Sequence, residues 1–459
     1  MKDDGIAVPA DHPGGSIDVT DRIGEVDNAQ WSAWLLVGFL SLLYIFSFLD
    51  RTVIALMVTP IRRDLHISDV QISLLVGMAF VLFYSVMALP MGWLVDKYPR
   101  RLIIFAGVSI WSIAQTACAF AGSFAQLFAA RLFLGAGEAT LNPATHSFIS
   151  DAFPRRQLAT AMSVYSLGAT MGIGFALLIG GAIVGALSNA GTIMLPVFGS
   201  FHSWQLVFLA TGLPGLALVS FIFAFPEPQR RLRSPAEHAP MKESGFLRFL
   251  RRNWQLWLCL ALSFGVMNIA NGAMVFWQPA YLERFFHFSP RQAATVLGVT
   301  QLLAGTAGML FSGRTVDRMF SRGIRDAHLR YYANVLVATT PVVLFSLLVN
   351  NIWLYLGLSW IATFVTVNSL GYSVAAVMLT TPARLRGRAS AVFTSLIVAG
   401  LGQGLGPLVP ALLAQHVFHD TQRLGYAIAG TICACAVVAI AALHRGMPLY
   451  RAALDRQGA

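Results

Sequence analysis

Charge is what this sequence has least of. Asp, Glu, Lys and Arg make up only 12% of its 459 residues, against a usual share of about 25%, and mean hydropathy reaches +0.65. A soluble enzyme does not have this composition. Cysteine is scarce too. Cys118, Cys259, Cys433 and Cys435 all fall inside apolar runs, and Cys-Ala-Cys has neither a redox nor a zinc spacing, so the four read as packing residues. No His/Cys cluster marks a metal site, and no Ser-His-Asp pattern marks a hydrolase. The glycine-rich stretches Gly172-Ile-Gly174 and Gly402-Gln-Gly404-Leu-Gly406-Pro407 follow no strand. With no Gly-x-x-x-x-Gly-Lys-Ser/Thr anywhere, they read as close helix packing and not as nucleotide loops. Lacking an ATP site, a transporter of this sequence would run on an ion gradient and need no cofactor. The net charge of +11 does not imply nucleic acid, because most Lys and Arg sit in alternate connections between apolar runs. No Asn-x-Ser/Thr acceptor occurs, in keeping with a bacterial source.

What the chain has in abundance is apolar runs long enough to cross a bilayer, near 20 residues each. Residues 1–30 are polar, with Asp11, Pro13, Gly14 and Gly15 arguing for a flexible tail. Runs then recur at 31–58, 69–95, 102–121, 124–150, 159–187 and 204–225. Residues 226–253 turn to Pro, Arg, Ser, Glu and His, as a linker does. A second set follows at 254–277, 291–313, 331–349, 351–379, 389–415 and 425–444, ahead of a tail at 445–459. Lys97, Arg100, Arg101, Arg155 and Arg156 mark the cytoplasmic connections, so both termini are expected inside the cell. Arg62 and Arg63, on an outer loop beside Asp64, are exceptions. The end of the linker, Phe246-Leu-Arg248-Phe249-Leu-Arg251-Arg252, reads either as a helix lying on the anionic inner leaflet or as a plain basic anchor. The expected architecture is all-α and integral to the membrane: twelve transmembrane helices in two six-helix bundles, 31–225 and 254–444. Such a chain is expected to be a monomeric multi-pass protein of the bacterial inner membrane, with the lipid bilayer and a small amphipathic substrate as its partners.

Asp50 and Arg51 lie side by side within the first run, where each costs roughly 2.5–3.5 kcal/mol on insertion scales. Arg131 and Glu138 stand seven residues apart in the fourth run, on one helical face about 10 Å apart along the axis, and Asn142 continues that face. Adjacent residues diverge by about 100° around a helix, so Asp50 and Arg51 seek different partners. The expected pairs are Asp50 with Arg131, and Arg51 with Glu138 and the cavity; Thr52 is a further candidate lining residue. Two readings stay open here, a structural ion network and a substrate and proton site. The second half has no comparable intramembrane charge. Asn268, Asn271, Gln301, Asn368, Tyr372 and Gln403 are its candidate cavity residues, each equally readable as interhelical glue.

The halves repeat a mark. Gly92-Trp-Leu-Val-Asp96-Lys97-Tyr-Pro-Arg100-Arg101 follows the second run, and Gly313-Arg-Thr-Val-Asp317-Arg318 follows the eighth. This spacing resembles the signature loop of the major facilitator superfamily. Physically it suits a conformational latch: Gly92 admits a close helix, Asp96 caps a helix N-terminus, and the cations pair with an acid at another helix end, for which Asp151 is the candidate. Asp50-Arg51-Thr52, Arg131-x-x-x-Gly135-x-Gly137-Glu138-Ala139 and His202-Ser-Trp204 together resemble the spinster branch of that superfamily. The resemblance implies alternating access and proton-coupled movement of lysophospholipid- or sphingolipid-type amphiphiles, with Asp50, Arg51, Arg131 and Glu138 carrying coupling and headgroup recognition. Leu141-Asn142-Pro143 departs from the pattern. A symporter of organic anions such as sugar acids, or a drug or metabolite exporter, is the alternative within transport. A lipid enzyme lacks a nucleophile or metal constellation, and a non-transporting sensor would need no latch in both halves.

Overall fold

The computed structural model describes residues 19–187, 193–195, 199–228, 244–366, 369–382 and 385–457. Twelve helical segments run back and forth. The first half comprises α1 (Val19–Thr52), α2 (Asp69–Ser73, continued as Ala79–Lys97), α3 (Arg100–Cys118), α4 (Phe124–Glu138, continued as Leu141–Ala152), α5 (Arg155–Leu187) and α6 (Ser203–Ser220). The second half comprises α7 (Trp254–Phe286), α8 (Pro290–Ser321), α9 (Ala327–Ser346), α10 (Ile352–Thr366, continued as Ser369–Leu379), α11 (Arg388–Val417) and α12 (Leu424–Gln457). Nine helices among the described residues are long and apolar enough to cross a membrane. Residues 19–30, expected as tail, already have helical backbone. The α5–α6 connection carries two antiparallel strands, β1 (Ile193–Leu195) and β2 (Gly199–Phe201), that pair Ile193 with Phe201. The linker holds a short helix, Ser244–Arg252, whose Phe246, Phe249 and Leu250 pack on the second-half core while Leu247 stays exposed.

The duplication is deeper than the signature loops. A left-handed histidine closes the helical turn before α2 and before α8, His66 at φ 51° and His287 at φ 57°. Two residues on, Ser68 with Gln71 and Ser289 with Gln292 form matching capping boxes, each serine oxygen accepting from the glutamine backbone N–H at 3.2 Å. Counting from these marks, Asn271 of α7 occupies the position that Asp50 has in α1.

We call the end that holds the start of α1 and the close of α12 the terminal face, and the other the far face. Toward the far face, one core joins both halves, with Val53, Ile54 and Phe208 in the same cluster as Trp277, Tyr281 and Leu347. Toward the terminal face the core divides. One cluster holds Leu40, Trp111 and Phe148, and a separate one holds Phe264, Tyr332 and Tyr450. Small residues explain the far-side closure. A Cβ on Gly174 would meet Leu302, one on Gly181 would meet Ala294, and one on Gly77 would meet the Gln403 carbonyl oxygen. The bundles are therefore zipped along one half of their length and separate along the other.

Candidate functional site

Ser47 and Arg51 stand one turn apart on α1 and face α4. The Arg51 guanidinium is paired with the Glu138 carboxylate, and the Ser47 hydroxyl donates to the same oxygen, Oε2, at 2.6 Å. The other oxygen, Oε1, is buried without a hydrogen-bond partner. Rings of Phe48, Phe80 and Tyr84 surround the Arg51 cation at 5.4, 4.6 and 5.3 Å from their centroids, a cation–π cage. The Arg51 side chain keeps 15% of its surface accessible while that of Glu138 keeps none. Arg51 is thus the less buried half of the pair.

Asp50 points elsewhere, as helical geometry requires, and is 1% exposed. The expected Asp50–Arg131 ion pair is replaced by a different contact. Arg131 donates from Nη1 to the Asp50 main-chain carbonyl at 3.1 Å. The reason lies in α1, which tightens into a 3-10 turn at Val53–Leu56 and so leaves carbonyls of its last α-turn in need of donors. Among the described residues, Asp50 Oδ1 and Arg131 Nε are both buried without hydrogen-bond partners. Thr52 caps nothing with its side chain.

The fourth helix brings Glu138 into place by close approach and a break. A Cβ on Gly135 would strike the Phe80 carbonyl, and one on Gly137 would strike the Gly107 carbonyl and Trp111; neither position admits a side chain. Pro143 lacks the N–H that the Ala139 carbonyl needs, so the helix interrupts after Glu138 and restarts at Leu141. Asn142 accepts from Tyr165 Oη at 2.8 Å and donates to Tyr84 Oη at 3.4 Å, and Tyr44 stacks on Tyr165. Ser47 and this tyrosine group escaped the sequence reading. The signal available was the one-turn spacing of Ser47 to Arg51.

In the second half Asn268, Asn271 and Gln301 line one cavity of about 100 Å³ among α7, α8, α9, α10 and α12, with Gln278, Thr339 and Ser359. Asn268 also donates to the Phe264 carbonyl at 3.1 Å. Tyr372 belongs instead to a buried aromatic group with Phe264, Tyr331 and Tyr332, and Gln403 lies where α11 crosses α2. Asn368 falls outside the described residues.

At the terminal face Arg100 is paired with Asp151, as expected, and donates to Ser147 Oγ at 3.1 Å. Glu227 is an unforeseen member. Its two carboxylate oxygens accept from the backbone N–H groups of Arg100 and Arg101 at 3.0 and 3.1 Å, capping α3, and Oε1 also pairs with Arg100 Nη1 at 3.2 Å. Lys97 lies over the Trp93 ring at 3.9 Å. The close approach expected at Gly92 is absent: a Cβ there, or on Gly313, meets nothing within 4 Å, because the bundles are apart at this end. Asp317 and Arg318 are exposed, and Asp96 contributes described backbone only.

The profile of the Major Facilitator Superfamily matches residues 40–399. The chain is 22% identical to an MFS-type efflux pump of Mycolicibacterium smegmatis, over 88% of this chain and 90% of that protein. It is 26% identical to a probable L-galactonate transporter of Escherichia coli, over 68% and 66% of the two chains. It is also 26% identical to protein spinster of Drosophila melanogaster, over 63% of this chain and 46% of that one, about half the relative's length. Among solved structures, a bacterial homologue of the human lysosomal transporter spinster, in an inward-facing and unoccupied conformation, superimposes with TM-score 0.74 at 24% identity, covering 92% of this chain and 97% of that one.

Proposed function

Because the chain belongs to the major facilitator superfamily, we propose that it is a proton-coupled secondary transporter that moves an anionic amphiphile by alternating access. The terminal face lies toward the cytoplasm of a bacterium, and residues 31–225 and 254–444 rock as the two bundles, joined by 226–253. One observation carries the reading: a partly exposed arginine, Arg51, is neutralised by a fully buried carboxylate, Glu138. An anionic headgroup and Glu138 compete for that cation. A proton on Glu138 weakens its hold and frees Arg51 for the headgroup, so proton and anion bind together and the site's net charge stays constant. Asp50, buried and without an ion pair, is the second acid able to take up a proton. The apolar part of the cargo faces Met267, Met274, Val275 and Leu336 of the second-half cavity.

A compact, hydroxylated anion is the second reading. It is favoured by the row of uncharged hydrogen-bonding groups in the same cavity, Asn268, Asn271, Gln278 and Gln301. Proteoliposomes with an imposed pH gradient separate the two. Uptake of a lysophospholipid that is abolished in Arg51→Ala supports the first reading. Uptake of a sugar acid with no competition from lysophospholipid replaces it with the second, and pH-independent uptake of either sinks proton coupling.

A further inference from the structure

Arg62 and Arg63 are the cations that the positive-inside pattern leaves unexplained, and the structure gives Arg62 a partner. Asp69, the first residue of α2, is 2% exposed. Its Oδ1 is paired with Arg62 Nη1 at 2.9 Å. From the other half, Arg284 at the end of α7 grips it with both guanidinium nitrogens, Nη1 to Oδ2 and Nη2 to Oδ1, each at 3.0 Å. The Arg284 cation also lies 5.5 Å from the Trp277 ring centroid. One turn below Asp69, the Ser73 hydroxyl reaches the Pro407 carbonyl of α11 at 3.0 Å, and Trp277 Nε1 donates to the same carbonyl at 2.8 Å. Among the described residues, Arg284–Asp69 is the only ion pair that joins the two halves. The remaining pairs, including Arg100–Asp151, Asp326–Arg330 and Arg325–Asp455, stay within one half.

We propose that Asp69 is the far-face clamp of the transporter, with Arg284 as its detachable partner and Arg62 as its permanent one. Opening the far face requires α7 to withdraw Arg284 from a buried, bidentate carboxylate contact, an interaction with strict geometry that does not stretch. Removing the only partner of a buried carboxylate would strand a charge. Arg62 belongs to the same half as Asp69 and moves with it, so the carboxylate remains paired in both states. The division of labour makes the clamp breakable: Arg284 sets how firmly the far face is shut, and Arg62 keeps the released acid paired.

The test is a distance measurement in purified protein with no substrate and no proton gradient, so its outcome is independent of which cargo is carried. Spin labels go on Gly122→Cys and Gln422→Cys, at exposed far-face positions of opposite halves, with the exposed Cys433 replaced by serine. The clamp predicts one short-distance population in the parent. Asp69→Asn and Arg284→Gln should each raise the long-distance population by about tenfold or more, and the double variant should match the single ones. Arg284→Lys, which keeps the charge and loses the fork, should fall between. Arg62→Gln should leave the closed population dominant. Unchanged distances in Asp69→Asn and Arg284→Gln overturn the proposal, as do additive effects in the double variant or an Arg62→Gln shift as large as that of Arg284→Gln.

Discussion

Arg131 holds the main-chain carbonyl of Asp50 and not its carboxylate. A side chain that looked like a counter-ion caps the end of α1 instead. Arg131→Ala leaves a buried carbonyl without its donor, at a cost of roughly 1–3 kcal/mol. Asp50→Asn removes no ion pair and should cost less. Thermal unfolding in detergent, followed by tryptophan fluorescence, should show the larger loss for Arg131→Ala. A larger loss for Asp50→Asn would restore the ion pair expected from sequence.

The Arg51–Glu138 pair should behave as a unit. Removing one partner strands the other, a loss of roughly 3–5 kcal/mol for a buried pair. Arg51→Gln with Glu138→Gln together should therefore destabilise less than the two single changes added. In the same variants, uptake driven by a pH gradient should be lost in Glu138→Gln, while exchange of substrate across the membrane without a gradient persists. Gradient-driven uptake that survives in Glu138→Gln assigns coupling to Asp50.

Glycine positions give a cleaner contrast than charges. Gly135→Ala forces a methyl into the Phe80 carbonyl, and overpacking of this kind costs typically about 1–3 kcal/mol. Gly92→Ala adds a methyl to open space and should leave the unfolding temperature unchanged. If Gly92 admits a neighbouring helix once the terminal face closes, Gly92→Ala slows transport at unaltered stability. Equal transport rates in Gly92→Ala and parent would remove Gly92 from the latch.

The terminal-face cluster makes a prediction about Glu227. Glu227→Gln keeps one of the two oxygens that accept at the start of α3 and loses the other, together with the charge beside Arg100 and Arg101, and capping losses of this sort are about 1 kcal/mol. Stability should fall modestly, whereas Arg100→Ala, which breaks contacts to Asp151, Ser147 and Glu227 at once, should lower it several times more. Urea or thermal denaturation of the two variants side by side decides it.

The twelve-helix plan was legible in the sequence because apolar length and alternating basic connections are both one-dimensional quantities. The Arg51–Glu138 and Arg100–Asp151 contacts were legible for a similar reason, since helical phase and depth follow from residue spacing. Other contacts depend on which state the bundles occupy. Gly92 has no neighbour because the terminal face is parted, and Asp69 reaches Arg284 because the far face is shut; no spacing within one helix encodes either. Arg131 was misassigned because opposite charge was weighed and the carbonyls released by the 3-10 turn at Val53–Leu56 were not. Tyr44, Tyr84 and Tyr165 lie on three different helices, and only packing brings them to Asn142.

The polypeptide leaves the first bundle through Glu227, which is fastened to both arginines that open α3. That fastening turns the inter-bundle connection into a tether with an anchored end. The anchored end lies beside the very turn where Arg100 meets Asp151. Lengthening the connection beyond residue 228 would slacken the tether without touching the anchor, whereas cutting it just before Glu227 would detach both at once.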